Sequence, residues 1–193
     1  CPFVAEVAVI VTRARTGECV LYPVVETVQR DHICHRVLAP AALPALQRAE
    51  VAALAERAVR AVEGVGSFGV ELFVSRDGAI LVNELAPRVH NSGHYTIEAC
   101  ACSQFENHVR AVMGWPLGST AMRVPAAVMV NLLGAGAGEG APAGREAALA
   151  VPETHLHVYG KRLSARGRKM GHVTALGPDL DTAQQRAEQA AAC

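Results

Sequence analysis

The run from residue 68 to residue 84 restricts the fold more tightly than any other part of this chain. Two β-rich stretches, residues 68–75 and 79–83, flank Arg76-Asp77-Gly78, and Asp-Gly between such stretches is the strongest short-range hairpin signal. A two-residue loop at Asp77-Gly78 sets Glu71 directly opposite Glu84. Facing side chains on antiparallel strands carry Cβ atoms about 5 Å apart, and at an effective dielectric of about 20 two carboxylates there repel by roughly 3 kcal/mol. A hard divalent cation, which takes oxygen ligands, would turn that penalty into a binding site. Protonation of one carboxyl, its pKa raised by the other, would also relieve it, as would neutralisation by Arg88 or a slip of the register. Val70, Leu72, Phe73, Leu81 and Val82 give both strands apolar surroundings, which argues against a freely solvated pair.

Around this hairpin the chain reads as an α+β protein. Residues 7–11 and 19–25 are β-rich about a turn at Arg15-Thr16-Gly17-Glu18, and 33–38 can continue the same sheet. Over 41–62 the apolar residues Leu43, Leu46, Val51, Leu54, Ala58 and Val62 recur at three- and four-residue steps, which predicts an amphipathic helix stopped near Gly64. Thr96 is expected to cap a second helix with Ile97, Cys100, Phe105, Val109 and Val112 on its apolar face and Gly114 at its end. A domain boundary falls near Gly118, dividing the chain into residues 1–118 and 119–193. Beyond it, 124–133 is β-rich, 134–144 is a glycine- and alanine-rich surface link, 155–159 and 169–175 form a β pair around a basic turn, and 181–192 is a helix.

Composition removes several classes of function. The 193 residues are 51% hydrophobic and 19% charged, which is enough apolar material for a folded core and excludes general disorder. Lys and Arg number 18 against 18 Asp and Glu, so the surface offers no field for a polyanion, and 4% aromatics leave no base-stacking platform; no nucleic-acid partner is expected. The six cysteines are dispersed without a CxxC pair, and read as reduced, buried thiols of an intracellular protein. No apolar run approaches the roughly 18 residues of a bilayer span, so a soluble chain without a membrane partner is expected. The chain opens on Cys1-Pro2-Phe3 with no initiator Met, and its natural amino terminus is expected to lie further upstream.

Two polar constellations carry chemistry. The segment that leaves the hairpin, residues 83–95, holds Arg88, whose planar fork suits carboxylate, bicarbonate or phosphate, and His90 and His94, which can donate to an oxyanion or move a proton near neutral pH. Alternatively it is an ordinary surface loop ending in a helix cap. Further on, Lys161, Arg162, Arg166, Arg168 and Lys169 lie in a stretch with no acidic residue between Glu153 and Asp179. Glycines 160, 167 and 171 would let backbone amides approach a ligand there, which suits one phosphate group; a solvated basic turn is the competing reading.

These residues resemble a known family. Glu71, the run NELAPRVHNSGHYTIEA over 83–99 and SQFENHVRAVMGWPLG over 103–118 are similar to N5-carboxyaminoimidazole ribonucleotide synthetases, ATP-grasp enzymes of purine biosynthesis. PAAVMVNLLG over 125–134, HLHVYGK over 155–161 and GRKMGH over 167–172 resemble that family's carboxy-terminal domain, so the resemblance covers nearly the whole chain. The related formate-dependent glycinamide ribonucleotide transformylases share a carboxylate-Ala-Pro-Arg segment, whereas HNSGHYT over 90–96 is the synthetases' form.

The resemblance implies the carboxy-terminal half of an ATP-grasp domain, an antiparallel sheet flanked by helices, joined to a small mixed carboxy-terminal domain. It implies a carbon-nitrogen ligase in which ATP phosphorylates bicarbonate to carboxyphosphate and the amine of 5-aminoimidazole ribonucleotide captures the carboxyl group. By the same resemblance Glu71 and Glu84 bind Mg2+ on the ATP phosphates, and Asn83 lies beside the nucleotide. Arg88, His90 and Asn91 surround bicarbonate and the aminoimidazole, and Lys161 and Arg168 hold the ribonucleotide phosphate. A homodimer is implied, in the cytoplasm or, in a plant or alga, the plastid. So is a fused carboxylase (mutase) domain, whose parent polypeptide is named phosphoribosylaminoimidazole carboxylase. Three positions depart from the pattern: Gln29 stands where the family often has a nucleotide-side His, Val89 replaces a common Pro, and Arg166 replaces the Pro before Gly-Arg-Lys. Because the family's Gly-rich lid and ATP-gripping lysines would lie upstream of Cys1, the chain alone is expected to bind nucleotide poorly and turn over little. A sister ATP-grasp enzyme acting on another ribonucleotide and a non-catalytic remnant serving as a scaffold are the competing readings.

Overall fold

The computed structural model describes residues 2–140 and 144–193; Cys1 and residues 141–143 of the expected 134–144 link lie outside the described residues. In chain order the elements are β1 (Phe3–Arg13), β2 (Cys19–Leu21), β3 (Val25–Arg30), β4 (Ile33–Ala39), α1 (Ala45–Val62), β5 (Gly66–Ser75), β6 (Ile80–Ala86), α2 (Thr96–Ala99), α3 (Gln104–Met113), β7 (Ala126–Leu133), β8 (Gly138–Glu139), α4 (Arg145–Leu149), β9 (Thr154–Val158), β10 (Leu163–Ser164), β11 (Lys169–Gly177) and α5 (Leu180–Ala191). This is the expected α+β class, with antiparallel strand pairing. The chain divides into two compact units, one of residues up to Thr27 with Ala39–Arg123, the other Val28–Leu38 with Val124–Cys193.

In the first unit β5 is central, antiparallel to β1 on one side and to β6 on the other. β1 also pairs with β2 across the expected turn, Val11 facing Leu21, and its Val7 and Ala8 meet Glu26 and Val25 at the start of β3. Successive strand side chains point to opposite faces, and both faces of β5 are used. Phe68, Val70, Leu72 and Val74 join Val7, Val9, Val11 and the α1 residues Val51, Ala55 and Val59 in one core. Ser67, Gly69, Glu71 and Phe73 fall on the other face, and these are the residues nearest the functional site.

Val51 and Leu54 of α1 lie at the core as expected, and the helices otherwise differ from expectation in which residues they bury. α1 starts at Ala45, after Pro44, and ends at Val62 as expected, with the residue before Gly64, Glu63, capping it in the left-handed conformation (φ 52°). Its buried line is Val51, Ala55 and Val59, a four-residue repeat of small side chains that lets the helix lie close on the sheet, while Leu46 is 75% and Val62 53% exposed. The helix expected from Thr96 to Gly114 is two. Thr96 does not cap it: its hydroxyl donates to Gly93 O (2.6 Å) and accepts from Gln104 N (3.0 Å), tying α2 to α3. Ser103 caps α3 by accepting from Glu106 N, and Gly114 ends it at φ 73° as expected. α3 buries Gln104, Asn107 and Ala111 and leaves the anticipated apolar face of Phe105, Val109 and Val112 exposed.

In the second unit β11 lies between β7 and β9; the expected pairing of 155–159 with 169–175 is present, with His172 opposite His157. Ala126, Val128, Val130 and Ala175 pack against Ala183 and Ala187 of α5, whose first turn is capped by Asp179 accepting from Thr182 N (2.7 Å). The 134–144 link is not wholly irregular, because Gly138 and Glu139 pair with Ser164 and Leu163 of β10. α4 has no counterpart in the expectations. All five described cysteines are free; Cys100 and Cys102 are buried, and burial pushes the Cys100 thiol up to about 12. No helix among the described residues is long and apolar enough to cross a membrane.

The burial line of α1 is checked by paired truncations. Val59→Ala removes two buried methyl groups and should cost about 2 kcal/mol in equilibrium urea unfolding. Leu46→Ala, on the exposed side, should stay within about 0.5 kcal/mol of wild type.

Candidate functional site

The site begins with the β5–β6 hairpin, and its register is not the one the Asp-Gly dipeptide suggests. Ser75 N donates to Ala79 O (2.9 Å) and Gly78 N to Ser75 O (3.1 Å), so Arg76-Asp77-Gly78 forms a three-residue loop with Gly78 at φ 86°. Next to that loop Val74 faces Ile80, Phe73 faces Leu81 and Leu72 faces Val82. Continued unchanged, this register would place Asn83 opposite Glu71 and turn Glu84 toward the α1 core. It does not continue: the pairing shifts between Leu72 and Glu71, Asn83 is left over as a β-bulge, and beyond it Glu71 faces Glu84, Val70 faces Leu85 and Gly69 faces Ala86. The expected opposition of Glu71 and Glu84 is therefore present, produced by a longer loop and a compensating bulge. Ile80 and Leu85 pack into the α1-side core, and Glu84 shares the opposite face with Glu71.

Glu71 is mostly covered, its side chain 16% exposed, with Ala8 of β1 as its other strand neighbour. The group that faces it is His90, whose Nε2 lies 3.5 Å from Glu71 Oε1. Ser92 Oγ is 2.8 Å from His90 Nδ1, which also accepts from Ser92 N (3.4 Å). That network assigns the ring proton to Nε2, on the Glu71 side. Gly69 makes this approach possible: a Cβ there would stand 2.4 Å from His90 Cβ and Cγ. Glu84 and Asn83 are exposed, so water screens the carboxylate repulsion more than the apolar neighbours suggest. Arg88, one expected neutraliser of the pair, is exposed and its guanidinium donates to Val89 O (3.1 Å). Asn91 opens the 3-10 turn Asn91–Gly93.

A layer of buried polar residues supports the turn, and sequence reasoning missed it. Gln104 is fully buried; its amide accepts from His90 N (2.9 Å) and donates to His90 O (2.7 Å). Ser67 Oγ donates to Gln104 O (3.0 Å), and Ser67 N donates to His108 Nδ1 (3.0 Å). Asn107, also fully buried, donates to Tyr22 Oη (2.8 Å) and accepts from Gly118 N (2.7 Å). Hydropathy carries no signal for such residues. The available one is positional, a Gln directly after the capping Ser103.

The basic turn lies in the second unit. Lys161 Nζ donates to Lys169 O and sits 5.5 Å above the Tyr159 ring, and Arg168 Nη1 donates to Leu163 O (2.9 Å). The glycines there serve the backbone: Gly167 N donates to Gly134 O (2.9 Å), and Gly171 admits His157 O, which a Cβ would meet at 2.3 Å. The expectation that the Gly167 amide faces a ligand is corrected accordingly.

Chemically, the first-unit site offers two oxygen donors on one sheet face, an imidazole N–H beside them and a guanidinium at the exit of the strand. No group of three or more His, Cys, Asp or Glu that could hold a metal comes together among the described residues. Two carboxylates are the protein contribution that Mg2+ commonly takes, the remaining positions being filled by water and phosphate oxygens.

Comparison with known proteins gives two family matches: the ATP-grasp domain over residues 1–105 and the phosphoribosylaminoimidazole carboxylase C-terminal domain over residues 127–186. The phosphoribosylaminoimidazole carboxylase of Schizosaccharomyces pombe is 46% identical over 190 residues, covering 96% of this chain and 34% of that protein. The crystal structure of N5-carboxyaminoimidazole ribonucleotide synthetase from Thermotoga maritima superposes with a TM-score of 0.90 at 47% identity, over 98% of this chain and 52% of that one. N5-carboxyaminoimidazole synthase from Aspergillus clavatus, in complex with ADP and 5-aminoimidazole ribonucleotide, gives 0.90 at 40% identity, over 97% and 51%. The chain thus spans about half of these solved chains and about a third of the yeast protein.

The close packing of His90 over β5 is tested by Gly69→Ala. The added methyl cannot fit without moving the turn, and should cost about 1–3 kcal/mol in thermal or urea unfolding while shifting the His90 imidazole resonances. Gly78→Ala, with open space around it, should leave those resonances in place.

Proposed function

The chain belongs to the ATP-grasp family, and from that membership we propose that it carries the metal- and substrate-facing part of an N5-carboxyaminoimidazole ribonucleotide synthetase. This is the ATP-dependent ligase that joins the carboxyl group of bicarbonate to the amine of 5-aminoimidazole ribonucleotide in purine biosynthesis. The observation that carries the proposal is the Glu71–Glu84 pair across the Asn83 bulge, followed within one turn by Arg88, His90 and Asn91. Its support is the likeness to enzymes named for that activity, one of them crystallised with ADP and the aminoimidazole ribonucleotide.

In this reading Glu71 and Glu84 hold Mg2+ with the ATP phosphates, and Asn83 contacts the nucleotide. The bound ion supplies charge neutralisation and Lewis acidity at those phosphates. Arg88 offers a two-pronged cationic fork for bicarbonate. His90 presents an Nε2–H held by Ser92 on the far side of the ring, and Asn91 adds an amide beside it. Lys161 and Arg168 take the phosphate of the ribonucleotide, within a carboxy-terminal module of residues 119–193 that complements an ATP-grasp portion of residues 1–118. A homodimer, a fused carboxylase domain and residence in the cytoplasm or a plastid belong to the same proposal.

The test is made on the full-length polypeptide. ADP formation should require both bicarbonate and 5-aminoimidazole ribonucleotide, and Glu84→Gln should lower kcat roughly a hundredfold or more, as expected for loss of several kcal/mol of metal-derived stabilisation. Arg168→Ala should raise KM for the ribonucleotide with a smaller effect on kcat. ADP formation driven instead by glycinamide ribonucleotide and formate would move the chain to the sister enzyme, and absence of nucleotide binding would make it a scaffold.

A further inference from the structure

His94 has no role in the proposed reaction, yet it is held as firmly as His90. Its imidazole stacks on Phe105, with ring centroids 5.5 Å apart and planes inclined by 27°, and its Nδ1 lies 3.1 Å from Gln104 Nε2. The buried Gln104 amide has no freedom in how it is read. Its oxygen faces a backbone N–H, that of His90, and its nitrogen faces a backbone carbonyl, again that of His90. Turned over, the amide would set oxygen against carbonyl oxygen and N–H against N–H. The backbone of His90 therefore dictates that Gln104 presents N–H to His94. An Nδ1 that receives an N–H is a lone-pair acceptor, so a neutral His94 carries its proton on Nε2.

Gln104 is itself fixed at every polar atom. Thr96 Oγ1 accepts from its N–H (3.0 Å), Ser67 Oγ donates to its C=O (3.0 Å), and the amide is engaged by His90 and His94. Gly93, on the same turn, has no room for a side chain: a Cβ would meet Ile10 Cγ1 at 2.6 Å and Gln104 Cδ at 2.7 Å. A buried network satisfied at all its members has one arrangement, and side chains carried on it inherit that arrangement.

We propose that Gln104 is the positioning residue of the 88–94 turn and that it fixes His94 as a neutral Nε2–H donor, a further hydrogen-bond donor for the carboxylate or phosphate oxygens of an anionic substrate. His90 and His94 then share one tautomer, His90 with Nδ1 occupied by Ser92 of the turn and His94 with Nδ1 occupied by Gln104 of α3. This deepens the function proposed above and rests on the reading that the turn faces substrate.

The test reads the imidazole nitrogens of the 193-residue chain without nucleotide or substrate, so its failure is distinct from failure of the proposed reaction. With 15N-labelled histidine, a multiple-bond 1H–15N spectrum at about pH 8.5, well above the ordinary imidazole value of about 6.5, separates the two tautomers. His94 is identified by the signals lost in His94→Gln. The expected result is an unprotonated Nδ1 and a protonated Nε2. Gln104→Glu keeps an acceptor for His90 N–H but supplies no N–H to His94, and should exchange the two nitrogen resonances by moving the proton to Nδ1. Gln104→Met, a second variant that removes both functions, should leave the tautomers mixed. Wild-type His94 protonated on Nδ1, or a tautomer unchanged in whichever of these variants folds, would overturn the proposal.

Discussion

One unpaired residue in a ladder decides what this molecule can do. Asn83 is left out of the pairing between β5 and β6, and its omission rotates every residue from Glu84 onward to the other face of the strand. Without that bulge Glu84 would point at the α1 core, where an unpaired carboxylate is costly, and Glu71 would face an amide. With it, two carboxylates share a face while Ile80 and Leu85 keep their places in the core. The bulge thus reconciles an apolar requirement on one face with a pair of carboxylates on the other.

The same division of labour runs through the first unit. β5 packs Val70, Leu72 and Val74 against α1, and on its other side Gly69 and Ser67 stay small so that His90 and α3 can approach. α3 answers with a polar buried face of Gln104 and Asn107, reversing the usual arrangement of an amphipathic helix. A polar layer of this kind stabilises little in net terms when every member is satisfied, but it costs dearly when one is not, and so it selects a single geometry. That geometry sets the turn bearing His90, Asn91 and His94.

Much of this was legible from the residues. Asp-Gly between β-rich runs marks the hairpin, Gly114 marks the end of a helix, and the paired glutamates stand out as like charges. What composition and periodicity cannot reveal is compensation. The two-residue loop and the unbroken ladder are both incorrect here, and their errors cancel at Glu71 and Glu84, so the pair is right for a reason that does not hold. The apolar periodicity of α1 counts Leu46 and Val62 as core, because hydropathy alone does not say which apolar side chains fall on the contact line of Val51, Ala55 and Val59. Gln104 escapes for the opposite reason: its value lies in partners from residues 67, 90, 94 and 96, which only the fold assembles.

The proposed chemistry requires the two glutamates to act as one cation site. Its most direct test is paramagnetic broadening by Mn2+, a Mg2+ substitute with the same preference for oxygen ligands, in the 15N–1H spectrum of the chain. The predicted result is broadening centred on the amides of Glu71 and Glu84 and their strand neighbours, lost in Glu84→Gln and in Glu71→Gln alike. Broadening that is absent there, or that survives removal of either carboxylate, would contradict it.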